Sequence, residues 1–245
     1  MTRTPATIEL ASTLAVQAAL DPDLLQTFTD LTGHPVTVVF EPTTVLIARI
    51  AAGYRPDVLI ATSGALRSLA EAEHVLVDSV VPLVRSGIGL GVLHSAPHPD
   101  ISTVDALVHA LTTARSVAYS QAGQSGIHFR TLLQRLGIAE QVAATATLLD
   151  AGFTGRALLD GRADLAVQQV SELRFIDGVD VIGFLPAAVQ LHTEFSAGLG
   201  TDQGHIPAAR DLLAFLTADP ARIAYTGSGL QVLTGSPVPL TGGTA

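Results

Sequence analysis

The sequence contains no cysteine, and aromatic residues make up only 4% of its 245 residues. Without cysteine the chain has no disulfide, no thiolate nucleophile and no cysteine-held iron–sulfur cluster. Proteins without cysteine occur in every compartment, so this absence does not locate the protein. The chemistry of any site must come from hydroxyl, amide, carboxyl, guanidinium, imidazole or backbone groups.

Runs of basic residues are also absent, and the formal net charge is −9. We therefore expect no nucleic-acid binding, which needs a basic surface. Hydrophobic residues make up 48% of the chain and the mean hydropathy is +0.44. A charged residue, proline or glycine nevertheless interrupts every apolar run before the roughly 18 residues that a membrane span needs. We expect no insertion into a membrane.

An apolar signal segment is missing from the start of the sequence, because residues 1–6 lead directly into a predicted strand. As the sequence stands, we expect a cytoplasmic protein. The expected location changes to the periplasm if a signal peptide has been removed and Met1 added.

Short apolar strands alternate with amphipathic helices from residue 7 onward. Strands are predicted at residues 7–11, 36–40 and 57–61, and a helix follows each one; the first of these helices restarts at Asp21-Pro22 and ends at Gly33. A strand at residues 141–148, a short helix at residues 153–161 and a loose tail after Leu233 are also predicted. This order predicts an α/β fold with doubly wound parallel sheets, in which ligands bind beyond the carboxyl ends of the strands. Ser12 and Thr44 are also predicted to cap the following helices. The candidate ligand-binding residues at these ends are Ser12, Thr13, Thr43, Thr44 and Ser63.

A glycine- and serine-rich turn follows another predicted strand, at residues 117–120, and opens a helix that continues to Leu136. Backbone N–H groups in such a turn point at one place, with the positive end of the helix dipole behind them. The turn therefore predicts an anion site at Ser125 and Gly126. We expect it to face the hydroxyl-bearing turns of the first strands across a cleft.

Two long, glycine-containing segments are predicted to cross between two lobes, at residues 80–93 and 193–200. The first lobe is then discontinuous and consists of residues 1–84 plus 197–245. The second lobe consists of residues 85–196. Each lobe is predicted to contribute one wall of the ligand cleft.

Five segments occur in a characteristic order. They are Ser12-Thr-Leu, Phe40-x-x-Thr-Thr-x-Leu-x-x-x-Ile-x-x-Gly53, Asp57-Val-Leu-Ile-Ala61, Ala122-Gly-Gln-Ser-Gly-Ile-His-Phe129 and Leu158-Leu-Asp-Gly-Arg-Ala-Asp164. In this order they resemble the bacterial molybdate-binding protein family, and they cover nearly the whole chain. The resemblance implies the two-lobed type 2 periplasmic binding protein fold, with two doubly wound sheets joined by two crossover strands.

The same resemblance implies which residues hold the ligand. In that family neutral donors alone hold a tetrahedral oxyanion, and Ser12 with Thr43 or Thr44 matches the hydroxyl donors of the first lobe. Ser125 and Gly126 match a backbone donor turn of the second lobe. Two further elements of the family's site fall at Phe153, which matches a helix-start amide, and at Gln168 and Gln169, where the family has a tyrosine.

Two ionisable residues distinguish this chain from a pure oxyanion receptor. Arg85 is expected to place a cation beside the cleft, and a guanidinium matches a planar carboxylate. His128 lies in the first turn of the helix after residue 123 and is a candidate base. The chain also resembles, more loosely, aconitate isomerases, which shift a double bond by moving a proton next to a carboxylate. Glu172 and Glu194 are candidate acid/base partners.

Three functions remain open on the sequence. The first is a solute-binding protein for a small anion, with an ABC transporter permease as its partner if it is exported. The second is a cytoplasmic, cofactor-free isomerase of an unsaturated polycarboxylate, and the third is a cytoplasmic anion sensor. Binding is the favoured interpretation. No cofactor and no metal site are expected, since the histidines lack ligand spacing, and a monomer is expected.

Overall fold

The computed structural model describes residues 7–201 and 206–233. The chain forms two compact units, Met1–Arg85 with Glu194–Ala245, and Ser86–Thr193. The boundaries predicted from the sequence were 84/85 and 196/197, and the observed ones fall after Arg85 and after Thr193. Arg85 therefore belongs to the first unit. Each unit has its own sheet and core.

The elements follow one another in regular alternation. The strands are β1 (Ile8–Ser12), β2 (Val36–Phe40), β3 (Val58–Thr62), β4 (Val81–Leu93), β5 (Val117–Ser120), β6 (Thr147–Leu149), β7 (Leu165–Gln169), β8 (Val179–Phe184), β9 (His192–Leu199) and β10 (Gln231–Val232). The α-helices are α1 (Pro22–Thr32), α2 (Thr43–Ala51), α3 (Ser63–Glu71), α4 (Val104–Thr113), α5 (Gln124–Arg135), α6 (Ala139–Ala143), α7 (Arg156–Leu159), α8 (Val170–Arg174), α9 (Ile206–Leu216) and α10 (Asp219–Gly227). Short 3-10 helices lie at Leu14–Val16, Val77–Ser79 and Ala187–Val189.

In the first unit, β1 pairs in parallel with β2 on one side and with β3 on the other. Ser12, at the end of β1, lies opposite Phe40 of β2 and Ile60 of β3. β9 continues the sheet antiparallel to β3, and β10 pairs antiparallel with β4. Because parallel strands end at the same edge, this topology gathers the ends of β1, β2 and β3 into one place.

In the second unit, β5 lies between β6 and β7 and is parallel to both. β4 is antiparallel to β7, with Ile88 opposite Gln169, and β8 pairs antiparallel with β4. The carboxyl ends of β5, β6 and β7 therefore share one edge, and the beginning of the second-unit part of β4 lies at the same edge.

Apolar residues pack on both faces of each sheet. In the first unit the rings of Phe28 in α1 and Phe215 in α9 lie 5.4 Å apart over one face. In the second unit Tyr119 of β5 and Phe129 of α5 are 5.2 Å apart, edge to face. The second contact matters most for function, because it fixes α5 against the strand that precedes it.

The ends of α1 show how local sequence sets the element boundaries. The Asp21 side chain accepts the N–H of Leu24 at 2.7 Å, and Pro22 occupies the first turn, where its missing N–H costs nothing. Gly33 ends the helix with φ 76°, a left-handed conformation that favours glycine. Both ends agree with the sequence prediction.

Four local predictions were wrong or fall outside the described residues. Residues 141–148 were expected to form a strand, but α6 and then β6 occupy this region, because alanine and Glu140 favour a helix and Val142 alone is buried in it. Ser12 does not cap a helix and neither does Thr44, since the N-cap positions are Thr13 and Pro42. The loose tail predicted after Leu233 lies outside the described residues.

Candidate functional site

The end of β1 presents two buried hydroxyl residues. Ser12 is fully buried and donates its hydroxyl to the carbonyl of Thr13 at 3.1 Å. Thr13 is 5% exposed, and its N–H donates to the carbonyl of Ile60 at 3.0 Å. The bond from Thr13 ties the end of β1 to β3. Both residues therefore lie at the carboxyl edge of the first sheet, where the sequence placed them.

The helices that follow β2 and β3 begin at this same edge. The Thr43 hydroxyl accepts the N–H of Thr62 at 3.4 Å, which links the starts of α2 and α3. The hydroxyls of Ser63 and Ser196 lie 2.7 Å apart, although the residues belong to α3 and β9. Thr44 is exposed in the first turn of α2. The predicted first-unit donors are therefore neighbours at one sheet edge.

Arg85 lies on β4 directly opposite Gln231 of β10. Its Nε donates to the side-chain oxygen of Gln231 at 2.6 Å, and the residue is half-buried between Val84 and Ser86, which are both buried. This bond uses one of the five N–H donors of the guanidinium. A role of Arg85 in ligand binding stays a prediction.

The start of α5 in the second unit has the geometry of an anion-binding turn. Ser120, the last residue of β5, accepts the N–H of Gly123 through its hydroxyl at 3.0 Å. Ser125 and Gly126 follow in the first turn of α5 and are both buried. The first hydrogen bond of the helix runs from the N–H of Ile127 to the carbonyl of Gly123. The N–H groups of Gln124, Ser125 and Gly126 therefore have no acceptor within the helix. The structure thus brings Ser125 and Gly126 to the sheet edge.

Gly126 is required by the close approach of α5 to β5. A β-carbon at this position would lie 1.8 Å from the carbonyl oxygen of Ser120. This backbone oxygen cannot move without displacing the strand that carries it. The start of the helix is therefore held against the end of the strand, with its free N–H groups at a fixed place.

Gln168 supports a neighbouring loop with both ends of its amide. Its oxygen accepts the N–H of Thr154 at 2.7 Å and the Thr154 hydroxyl at 2.9 Å. Its nitrogen donates to the carbonyl of Gly152 at 2.9 Å. Sequence analysis assigned Gln168 to the ligand, but in the structure its polar atoms hold the loop that follows β6.

Phe153 lies within this loop and not in the first turn of a helix. α7 begins only at Arg156, whose N–H donates to the Phe153 carbonyl at 3.2 Å. The helix predicted over residues 153–161 is therefore shorter, because Gly155 occupies its N-cap and Gly161 follows its end. The Phe153 ring is buried against Phe175 at 4.9 Å. Its backbone N–H remains the predicted ligand donor.

Gln169 connects β7 to β4 and to the start of β9. The amide orientation that satisfies all partners has its nitrogen donating to the carbonyls of Ser86 and Gly87, both at 3.2 Å. Its oxygen then accepts the Thr193 hydroxyl at 3.0 Å. We adopt this orientation because the opposite one sets the amide nitrogen against donors and the oxygen against acceptors. Gln169 thus bridges β4 and β9 within the second unit.

His128 is half-buried on α5 and its imidazole is engaged with a backbone group. Its Nε2 lies 3.3 Å from the carbonyl oxygen of Val189. A carbonyl accepts only, so Nε2 is the donor in this contact. The structure therefore directs the proton-bearing nitrogen of His128 to the 3-10 helix at Ala187–Val189.

Glu172, a candidate acid/base partner on the sequence, has a distinctive environment in the structure. It is 7% exposed, and it is the only carboxylate residue among the buried residues that the structure describes. Burial raises the pKa of its carboxyl to about 8, although the backbone N–H of Gln169 and the side-chain amide of Gln168 oppose the shift. Glu194, the other acid proposed from the sequence, is exposed on β9.

Several polar residues of the second-unit edge were not recognised in the sequence. They are Ser86, Ser120, Thr154, Ser171 and Thr193, and each is buried. Ser120 was detectable, since it ends a predicted strand just before the glycine-rich turn. The others come from segments far apart in the chain, so only the sheet topology brings them together. Within residues 7–201 and 206–233, no group of three or more metal-ligating side chains could hold a metal ion.

Comparisons with known proteins agree with this architecture. A family model described as bacterial extracellular solute-binding protein matches residues 8–231. An aconitate isomerase from Pseudomonas sp is 35% identical over 190 residues, which is 77% of this chain and 72% of that protein. None of the described helices has the length and apolar character needed to cross a membrane.

Among solved structures, the periplasmic molybdate-binding protein of Azotobacter vinelandii aligns with a TM-score of 0.76 and 17% identity, over 93% of this chain and 100% of its own. A periplasmic thiamin-binding protein aligns with a TM-score of 0.75 and 12% identity, over 98% of this chain and 87% of its own. At these identities the two structures show the shared fold alone.

Proposed function

The chain belongs to the family of bacterial extracellular solute-binding proteins and has the type 2 periplasmic binding protein fold, and on this premise we propose that it binds a small carboxylate anion. The proposed donors are the backbone N–H groups at the carboxyl edge of the second unit's sheet, which belong to Ser125 and Gly126. In the first unit, Ser12, Thr43 and Ser63 stay predicted ligand-binding residues.

The observation that carries this proposal is the start of α5. Three N–H groups without a helical partner, those of Gln124, Ser125 and Gly126, lie at the positive end of a helix of 12 residues. The Ser120 carbonyl against Gly126 fixes their position before any ligand arrives. A preformed donor turn loses little freedom on binding, so its hydrogen bonds contribute fully to affinity.

Neutral donors of this kind are compatible with the charge of −9. Charge on the outer surface is screened by salt within about 10 Å, whereas the donors contact the anion directly. Ser12, Thr13 and Ser125 are all nearly inaccessible to water. Hydrogen bonds to an anion are strongest in such surroundings.

A carboxylate is the proposed ligand class, in place of molybdate, for two reasons. The related isomerase from Pseudomonas sp is named for aconitate, a tricarboxylate, and it is 35% identical to this chain. The chain also lacks the tyrosine of the molybdate-binding family and has Gln168 and Gln169 there, whose amides bond within the protein itself. Arg85, if it contacts ligand, would add a charge-assisted bond to a carboxylate.

A second candidate function is isomerisation of an unsaturated polycarboxylate such as aconitate. Two observations favour it: the 35% identical aconitate isomerase, and the buried carboxyl of Glu172, which follows the strand next to β5. The reaction moves a proton between the two carbons that flank the central one, so it needs a group that can both accept and return it. Binding alone needs no such group.

The ligand class can be tested by a thermal-shift screen over trans-aconitate, cis-aconitate, citrate, molybdate, sulfate and phosphate. A ligand at 100 times its Kd raises stability by about 2.7 kcal/mol, which is a shift of a few degrees for a chain of this size. We expect the carboxylates to raise the melting temperature. A shift with molybdate alone would refute the carboxylate assignment.

A matched pair of serine variants tests the site itself. Ser125→Ala removes a hydroxyl at the proposed donor turn, whereas Ser116→Ala removes an equally buried hydroxyl at the opposite end of β5. The ligand-induced shift should fall in the first variant and remain in the second. Equal loss in both would show that the α5 turn is not the site.

The partner of the protein depends on its compartment. We propose that an exported form delivers its ligand to an ABC transporter permease; membership of a family of extracellular solute-binding proteins supports this. A cytoplasmic form would keep the ligand for turnover or sensing. Fractionation of the native cells, followed by immunodetection, separates these two roles.

A further inference from the structure

Glu172 has an environment that a purely structural residue rarely has. Its carboxyl is buried, and none of the ion pairs among the described residues includes it. We propose that Glu172 contacts the bound carboxylate ligand and is the group that takes and returns the proton during isomerisation. This inference rests on the isomerase candidate and assigns its proton-transfer residue.

The first argument is the cost of burial. Moving a carboxyl group out of water without a neighbouring cation raises the free energy of its charged form. Such a group is usually protonated or has a role in binding or catalysis. The carboxylates that do form ion pairs, among them Glu41, Asp164 and Asp180, are all partly exposed to solvent. Buried and unpaired acids concentrate at functional sites.

The second argument is the position of Glu172 in the sheet. α8 follows β7 directly, with Gln169 as its N-cap, and Glu172 lies in its first turn. β7 is the parallel neighbour of β5, which leads into the donor turn at Ser125 and Gly126. Adjacent strands lie about 4.8 Å apart, so the carboxyl and the N–H donors arise from neighbouring strand ends.

The third argument is that the residues around Glu172 are held in place by their own hydrogen bonds. Gln168 holds the loop at Gly152–Thr154, and Gln169 bridges Ser86, Gly87 and Thr193. The neighbouring hydroxyls of Ser86 and Ser171 lie 3.5 Å from each other. These contacts fix the backbone on both sides of Glu172. The carboxyl therefore sits in a rigid frame.

Glu172 also fits the role better than His128. The protonated nitrogen of His128 is turned to the carbonyl of Val189, so the imidazole is anchored to the 3-10 helix that precedes β9. Glu172 is buried more deeply and emerges from the strand next to β5. The structure therefore favours a carboxyl over an imidazole as the proton carrier.

The titration of the group agrees with this role. Its pKa of about 8 means that both protonation states are accessible near neutral pH. No charged side chain contributes to this shift: burial raises the pKa, and the only opposing groups are the N–H of Gln169 and the amide of Gln168. A general base works best when its pKa lies near the working pH.

The proposed step is balanced without a cofactor. The Glu172 carboxylate takes a proton from the CH2 carbon of trans-aconitate, next to a carboxylate. The C–H electron pair joins the double bond in a delocalised dienolate, which the N–H donors of α5 stabilise. The Glu172 carboxylic acid then returns the proton to the carbon at the other end of the three-carbon unit, the double bond shifts by one position, and cis-aconitate forms.

The experiment follows this conversion by proton NMR between about pH 6 and pH 9.5 in the wild type, Glu172→Gln, Glu172→Asp and the control Glu140→Gln. Glu140 is an exposed acid on α6, so its replacement tests for a non-specific charge effect. Binding of trans-aconitate is measured in parallel by calorimetry. This second measurement separates loss of chemistry from loss of folding.

In the wild type we expect kcat/KM to rise with pH and to level off above about pH 8. Glu172→Gln should bind trans-aconitate and lose about 1,000-fold in kcat, and Glu172→Asp should keep some activity with a displaced pH midpoint. Glu172→Gln with more than a tenth of wild-type kcat would overturn the inference, and so would a Glu172→Asp variant whose pH midpoint equals that of the wild type.

Two results for the wild type concern the proposed functions. Binding of trans-aconitate without turnover overturns both the inference and the isomerase candidate. Absence of binding overturns the proposed ligand class.

Discussion

The α-carbon of Gly126 faces the carbonyl oxygen of Ser120 so closely that a β-carbon there would lie 1.8 Å from that oxygen. The contact joins the first turn of α5 to the last residue of β5. It holds the N–H donors of the turn in place while the hydroxyl of Ser120 fixes Gly123 at 3.0 Å. The absence of a side chain at Gly126 therefore makes this rigid donor turn possible.

Replacement of Gly126 by alanine should be strongly destabilising. The new methyl group must push α5 away from β5, so we expect the free energy of unfolding to fall by about 2–4 kcal/mol, with loss of ligand binding. Urea denaturation and calorimetry measure the two effects. Gly227→Ala is the matched control, because a β-carbon there meets nothing within 4 Å; equal stability of the two variants would contradict the steric argument.

Replacement of Gln169 by leucine should loosen the second unit. The carbonyls of Ser86 and Gly87 and the hydroxyl of Thr193 would lose their partner in a buried place. We expect a loss of about 2–4 kcal/mol in urea denaturation. Gln141→Leu serves for comparison, because the Gln141 amide makes one bond, to Thr112, at an exposed position. An effect of Gln169→Leu no larger than that of Gln141→Leu would argue against the bridge.

The raised pKa of Glu172 predicts a dependence of stability on pH. The unfolded chain releases this proton near the ordinary value of 4.5 and the folded protein near 8, so between these values the unfolded state binds fewer protons. The contribution of Glu172 to stability is complete below about pH 4.5 and is lost as pH rises through about 8. Comparison of melting curves with Glu172→Gln isolates this contribution.

The variant should gain stability relative to the wild type by several kcal/mol between about pH 5 and pH 9. Other groups that titrate in this range are common to both proteins and cancel in the difference. A stability difference that does not change with pH would show that the Glu172 carboxyl is not desolvated in solution.

The donor turn predicts a modest and specific loss of affinity in Ser125→Ala. Loss of one hydrogen bond to a charged ligand costs about 1.5–3 kcal/mol, which raises Kd by roughly 10- to 150-fold. Calorimetric titration of Ser125→Ala and of Ser116→Ala with the same ligand checks this value. A Kd in Ser125→Ala within twofold of the wild type would remove its hydroxyl from the site and leave only its backbone N–H.

Much of the fold was predictable because its signals are local. Apolar strands at Val36–Phe40 and Val58–Thr62 alternate with helices, and the long strand β4 follows from the glycine-rich run after Val80. The strand predicted in the region of α6 was wrong because a short alanine-rich stretch shows no clear hydrophobic periodicity. The helix cap at Ser12 was wrong because its hydroxyl turns to the carbonyl of Thr13.

The site was predictable only in part, because long-range contacts decide which polar atoms remain available. The sequence could place Ser125 and Gly126 in a donor turn, since strand, turn and helix are adjacent in the chain. It could not show that Gln168 is bonded to Thr154, 14 residues earlier. It also could not distinguish Glu172, which is buried, from Glu194, which is exposed.

The most direct test of the account is isothermal titration of the purified protein with trans-aconitate, with molybdate as the comparison. We expect a saturable one-site isotherm for trans-aconitate with a Kd below about 100 µM, and weaker or no binding of molybdate. Tight binding of molybdate together with no heat from trans-aconitate at millimolar concentration would contradict the central claim that this chain holds a small carboxylate.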